Sequence, residues 1–231
     1  MSNRDHPLLA VLIDADNVPA KFAPAILEEV KSIGEPALRR VYGDWSSGQL
    51  SGWSEVIRNL GLVAHQESAN TTGKNASDIG LVIDAMDILH GGRFDGFVLV
   101  SSDSDFTALA NRLREDGLTV IGIGETKAPD SLRNVCNRFI IIENLLNSSP
   151  EDKNTRVDMK QAYHRLRNTI KNADTDDDWV TMSYLGSALN NAYPDFDTRT
   201  YGYGKLSTLV HALPQFETKK DTGTMMVRLK P

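Results

Sequence analysis

Apolar residues come in short uninterrupted runs through residues 8–142, and each run is followed by an amphipathic stretch. Residues 8–13 and 97–100 contain no polar side chain at all, the pattern of a strand buried on both faces. Runs near 8–13, 37–43, 62–65, 96–101, 118–122 and 138–142 predict strands. Stretches near 20–33, 48–59, 77–90, 104–116 and 130–136 predict helices. The alternation predicts an α/β fold, a parallel sheet covered on both faces and joined by right-handed crossovers. Gly34-Glu35-Pro36, Gly61, Gly91-Gly92 and Asp116-Gly117 punctuate it with turns. Asp103 or Ser104 suits the cap of the helix that begins near Phe106.

The rhythm changes after a polar stretch at 147–154, which reads as a linker between domains at 1–146 and 155–231. An amphipathic helix is expected near 157–170, carrying Tyr163, Leu166 and Ile170. Trp179-Val180 reads as a short strand. Helices near 182–191 and 203–212 follow, then a hairpin turning at 221–223. Three helices followed by a hairpin is the order of a winged helix, with a generic small α+β domain as the alternative.

The 231 residues suffice for two domains, and 40% hydrophobic with 24% charged is ordinary for a globular chain. No window offers about 18 uninterrupted apolar residues, so no membrane span is expected. Residues 1–7 lack the apolar core of a secretory signal. The single Cys136 excludes an internal disulfide and a cysteine-rich zinc site; its neighbours fit plain burial, and a cytoplasmic setting is expected. The net charge of −6 is unevenly spread. Residues 1–150 carry 13 Lys and Arg against 20 Asp and Glu, a balance of −7. Residues 151–231 carry 12 against 11, a balance of +1.

Much of the chemistry lies in acids at the ends of apolar runs. Asp14 ends the first strand and Asn17 follows one turn later; Asp103 and Asp105 follow the fourth strand. Both loops open on the carboxyl rim of the sheet, where ligands bind in open α/β folds. Asp44 follows the second strand toward the same rim, and a turn role suits it equally. Asp78 falls at a helix start, where an ordinary cap is the plainer reading of one isolated acid. Asp84 and Asp87 lie about 240° and 180° further round that helix and read as structural or solvated. Gathered carboxylates repel one another, and a hard cation such as Mg²⁺ or Mn²⁺ removes that penalty. Such an ion polarises a phosphoryl oxygen and acidifies an attacking water. Asn17 can orient a water or phosphate, and Lys74 in the polar run 70–75 can guide a nucleic-acid backbone.

Ile13-Asp14-Ala15-Asp16-Asn17, the Lys74…Asp78 pair and Ser101-Ser102-Asp103-Ser104-Asp105-Phe106 resemble the hallmark segments of the NYN family. That family belongs to the PIN-like superfamily of metal-dependent ribonucleases. The resemblance spans roughly residues 8–145. It implies a Rossmann-like sheet with Asp14, Asp78 and Asp103 around Mg²⁺ or Mn²⁺, supported by Asn17, Asp44 and Asp105. Ser102 stands where many relatives carry Gly. Residues 155–231 resemble the OST-HTH, or LOTUS, winged-helix family through 184–189, 194–206 and Phe216-Glu217. That likeness implies RNA or protein partners. Arg199, Tyr201, Tyr203 and Lys205 suit phosphate contact and base stacking, although the Tyr-Gly-Tyr-Gly run at 201–204 also suits a helix entrance with one Tyr packed inside. PIN-like domains often pair, which leaves a homodimer open.

Three functions compete. The first is a metal-dependent, endonucleolytic ribonuclease whose substrate is held by the winged helix; it needs no Ser, His or Cys nucleophile, and the five histidines are scattered. The second is a phosphatase of the haloacid dehalogenase type, with Asp14 as nucleophile and Asp16 as acid; the Lys74-before-Asp78 order fits it poorly. The third is a non-catalytic RNA-binding adaptor.

Overall fold

The chain reverses its direction of travel across its own sheet, and the reversal falls beside the first strand. The computed structural model describes residues 6–46, 48–66, 76–146, 155–173, 178–221 and 223–230. It divides into two units, Met1–Leu146 and Asn147–Pro231. The linker reading of 147–154 lies outside the described residues.

The first unit runs β1 (Leu8–Asp14), α1 (Ala23–Lys31), β2 (Glu35–Gly43), α2 (Trp53–Leu60), β3 (Val63–Gln66), α3 (Ala76–His90), β4 (Gly96–Val100), α4 (Thr107–Glu115), β5 (Thr119–Gly124), α5 (Asp130–Val135), β6 (Arg138–Ile141) and α6 (Glu143–Leu146). The six strands are parallel in the order β3-β2-β1-β4-β5-β6. The chain winds outward from β1 to β3, crosses back, and winds the other way from β4 to β6. Between β1 and β4 the connections leave in opposite directions, so the strand ends stand apart as a crevice. The register Ile13↔Val100 sets Asp14 beside Ser101 at that crevice.

Side chains along β1 alternate between two cores. Val11 and Ile13 join Ile26 and Val30 of α1 and Trp53 of α2 on one face. Ala10 and Leu12 join Leu81 and Ala85 of α3, Leu109 and Leu113 of α4 and Leu132 of α5 on the other. With both faces covered, the strands carry no polar alternation, which is why the continuous apolar runs marked them. Three helices start later than their patterns suggest, behind 3₁₀ turns at Ala20–Phe22, Gly48–Leu50 and Ser104–Phe106. Pro24 in the first turn of α1 fits a true helical start, because its missing N–H would be unpaired there anyway. The four-residue α6 is too short for a periodic signal. Cys136 is buried, its thiol donates to the Leu132 carbonyl at 3.2 Å, and burial pushes it up to about 12.

The second unit runs α7 (Thr155–Lys171), β7 (Val180–Thr181), α8 (Met182–Ala192), α9 (Leu206–His211), β8 (Phe216–Asp221) and β9 (Thr224–Leu229). Its small antiparallel sheet has the order β7-β9-β8. Ala162 and Leu166 of α7, Leu185 and Leu189 of α8, Leu209 and Val210 of α9, Phe216 and Val227 share one core. Thr181 caps α8 by accepting from the Tyr184 N–H at 3.1 Å. The third helix starts later than its pattern, at Leu206, because Lys205 before it is extended; a separate 3₁₀ turn at Thr198–Tyr201 precedes it, capped by Asp197 and ended by Gly202 at φ +83°. No helix among the described residues is long and apolar enough to cross a membrane.

Candidate active site

Each acid reaches the crevice for a local reason. Asp14 is the last residue of β1 and is 1% exposed. One of its oxygens accepts from the Asp16 and Asn17 N–H groups, both at 3.2 Å. The other accepts from Asn17 Nδ2 at 2.7 Å and Ser101 Oγ at 2.8 Å. Burial raises its pKa, and the bonds from Asn17 and Ser101 oppose the rise. Ser101 Oγ in turn accepts from the Asp103 N–H at 3.1 Å. Asp103 Oδ1 accepts from the Asp105 N–H at 2.9 Å and so caps the turn that opens α4. The loops after β1 and β4 are thus one hydrogen-bonded assembly.

Asp78 comes from the first turn of α3, which packs on β1 and β2. Asp84, further along α3, receives Arg40 Nη1 on one carboxylate oxygen and the Tyr42 hydroxyl on the other. Burial, and then the bond to Asp84, push the Tyr42 hydroxyl far above the usual phenol range. This fork holds α3 against β2, so the reading of Asp84 as structural agrees with its place. It also fixes the start of α3 at the rim. Asp78 is pushed up to about 6, first by burial and then by the negative charges of Asp14, Asp103, Asp105 and Asp16. Five carboxylates from three chain segments therefore feel one another at the switch point. Asp16 is the member that sequence reasoning left out of the site, although it lies within the first motif. Gly124 is another omission: a Cβ there would lie 2.6 Å from the Ser101 carbonyl and 3.0 Å from Ser102 Oγ, so β5 must carry Gly to admit the acid loop.

Asp44 stands at the end of β2 but is engaged in its own turn. Its Oδ1 accepts from the Ser46 N–H at 3.1 Å, the Ser46 hydroxyl at 2.6 Å and Gln66 Nε2 at 3.0 Å. Those bonds lower its pKa, and its charge is not among those named above as acting on Asp78. Lys74 lies outside the described residues. Below the rim, Asp78, Ile79, Val82, Ile83, Asp105 and Phe106 line a cleft of about 300 Å³.

The acids offer oxygen donors and excess negative charge, the chemistry that a hard cation takes. Among the described residues no group of three or more His, Cys, Asp or Glu side chains is placed to hold a metal ion. Asp14 has its acceptor positions filled, which suits it to supply charge and to tie the loops. The same four donors occupy the oxygens that the phosphatase reading would use as its nucleophile, which counts against that reading.

In the second unit, Tyr201 corrects an expectation. It is 2% exposed and packs beside Phe196 at 5.7 Å between ring centroids, so no face is left for a base. Tyr203 packs partly against the same core. Arg199 pairs with Asp197 at 2.7 Å, and Lys205 is exposed just before α9. Trp179, expected as a strand residue, lies just before β7 and has Lys219 Nζ 4.3 Å and the Arg228 guanidinium 4.7 Å from its ring centre. Strand register was the available signal: residues paired across β8 and β9 share a face, as Glu217 and Arg228 do.

A six-stranded parallel sheet with its acids at the switch point defines a PIN-like α/β domain. The chain belongs to the NYN domain family, whose profile matches residues 8–143, and an OST-HTH/LOTUS domain follows at 141–227. A crystal structure of a protein of unknown function from Vibrio parahaemolyticus is similar, with a TM-score of 0.51 and 19% identity. That match covers 62% of this chain and 96% of the other, and at such identity it speaks for the fold alone. No curated protein matches the chain.

Proposed function

We propose that the protein is a metal-dependent ribonuclease that hydrolyses RNA phosphodiesters endonucleolytically, with the OST-HTH domain holding the RNA. The observation that carries this reading is the hydrogen-bonded joining of the loops that bear Asp14, Asp103 and Asp105 at the switch point, with Asp78 near enough to feel their charges. A bound Mg²⁺ or Mn²⁺ would offset that repulsion, polarise a phosphoryl oxygen and lower the pKa of the attacking water. Asp78 and Asp103 would hold the ion directly, with Asp105 beside them. Asp14 contributes its charge and, through Ser101, keeps the β4 loop in place. Asn17 spends its amide on Asp14, so it positions that carboxylate. Asp44 steadies the neighbouring turn. Lys205 and the Trp179–Lys219–Arg228 group offer cations to the RNA backbone.

The test is cleavage of end-labelled single-stranded RNA with Mg²⁺ or Mn²⁺ by the native protein and by Asp103→Asn. Asn keeps the capping acceptor, so the fold survives while a charge is lost. A fall of about 100-fold or more is expected. Equal cleavage by both would remove Asp103 from the mechanism. Retained RNA binding with no cleavage by either would make the protein an adaptor.

A further inference from the structure

α3 carries two apolar faces, and only one is used by the core. Leu81, Ala85 and Leu89 point into the sheet. Ile79 and Ile83 remain 60% and 59% exposed, one helical turn apart on the same outer face. A surface helix ordinarily turns a polar face to water. Ile79 and Ile83 therefore form an exposed apolar strip, and what lies beside it decides what it can hold.

The placement of that face says what covers it. Ile79 and Ile83 are walls of the 300 Å³ cleft, together with Val82 and Phe106, and the remaining lining residues are Asp78 and Asp105. The apolar surface therefore runs directly into the acid cluster. Among the described lining residues the only charges are the carboxylates of Asp78 and Asp105, so an anionic group meets repulsion from them. An uncharged flat group attached to a phosphate at the acid end meets both chemistries. Burying its apolar face against two isoleucines is favourable in proportion to the area covered.

We propose that the outer face of α3, at Ile79 and Ile83, seats a nucleobase of the RNA next to the phosphodiester addressed by the acids. This rests on the ribonuclease reading and deepens it: the enzyme would grip a base as well as the backbone, and so prefer unpaired strands whose bases can turn out of a stack.

The test compares a single-stranded oligoribonucleotide with an abasic strand of the same length, using the full chain and the double variant Ile79→Ala/Ile83→Ala. Both side chains are mostly exposed, so the fold tolerates the change. The native protein is expected to prefer the base-bearing strand. The double variant is expected to raise KM for that strand by about tenfold, closing the gap to the abasic one. Fluorescence anisotropy of the same strands, with Mg²⁺ and in the Asp103→Asn background, reads the preference without cleavage. If the native protein cuts neither strand, the ribonuclease reading fails while anisotropy still decides the base seat. A preference unchanged by the double variant overturns the proposal. So does light scattering that shows a native dimer dissociated by the same substitutions, because a second copy would then be the occupant.

Discussion

Ser101 Oγ donates to Asp14 Oδ2 at 2.8 Å, and the two residues are the first to extend past the paired positions Val100 and Ile13. The same hydroxyl accepts from the Asp103 N–H. One serine therefore links the end of β1 to the loop that carries two more acids, at the one place in the sheet where neighbouring connections diverge.

Ser101→Ala removes a donor from a buried carboxylate and an acceptor from the Asp103 amide. Leaving such groups unpaired costs about 1–3 kcal/mol. Urea denaturation should show that loss, and cleavage should fall with it as the Asp103 loop loosens. A variant as stable as the native protein would mean that the linkage contributes nothing.

The charge at Asp78 has a pH signature. Its folded pKa of about 6 lies above the unfolded value of 3.8, so the folded state holds the proton more tightly. The stabilisation is complete below 3.8 and is lost as pH rises through about 6. Asp78→Asn should therefore stabilise the metal-free protein at pH 7 by roughly 1 kcal/mol, after allowance for solvent screening of a half-buried group. The gain should vanish at pH 3.5. Denaturation midpoints at the two pH values check this; a gain equal at both would mean that the acids do not repel Asp78.

The sheet was readable because burial on both faces leaves unbroken apolar runs, and acids at the ends of residues 8–13 and 97–100 pointed to the rim. The convergence of Asp14, Asp78 and Asp103 was legible only as three motifs in order. The Arg40–Asp84–Tyr42 fork that aims α3 was not, because its partners are 42 and 44 residues apart in sequence. Tyr201 shows the opposite limit. An aromatic residue beside a motif looks functional by its type, yet core packing takes it.

Gly124 depends on space rather than on turn conformation. A methyl group there meets the Ser101 carbonyl at 2.6 Å and Phe139 at 2.9 Å. Gly124→Ala must push the acid loop, the Phe139 ring or both, at a cost of about 1–3 kcal/mol. RNA cleavage should fall by more than the change in folded fraction explains, since the displaced loop carries Asp103. Unaltered kcat and stability together would show that the loop yields freely.

The winged helix allows a clean separation of packing from recognition. Tyr201 fills the core beneath the 198–201 turn, so Tyr201→Ala should destabilise the domain by about 3–5 kcal/mol. Lys205 is exposed beside that turn, so Lys205→Ala should leave the melting temperature almost unmoved. It should weaken RNA binding about equally across sequences, because a lysine meets phosphate as a point charge. Its loss should also flatten the dependence of log affinity on log salt by about one phosphate contact. Anisotropy titrations at several salt concentrations, run beside thermal melts, distinguish the two residues. A Lys205→Ala protein with the native salt slope would place the RNA elsewhere on the domain, with the Trp179–Lys219–Arg228 group the next surface to substitute.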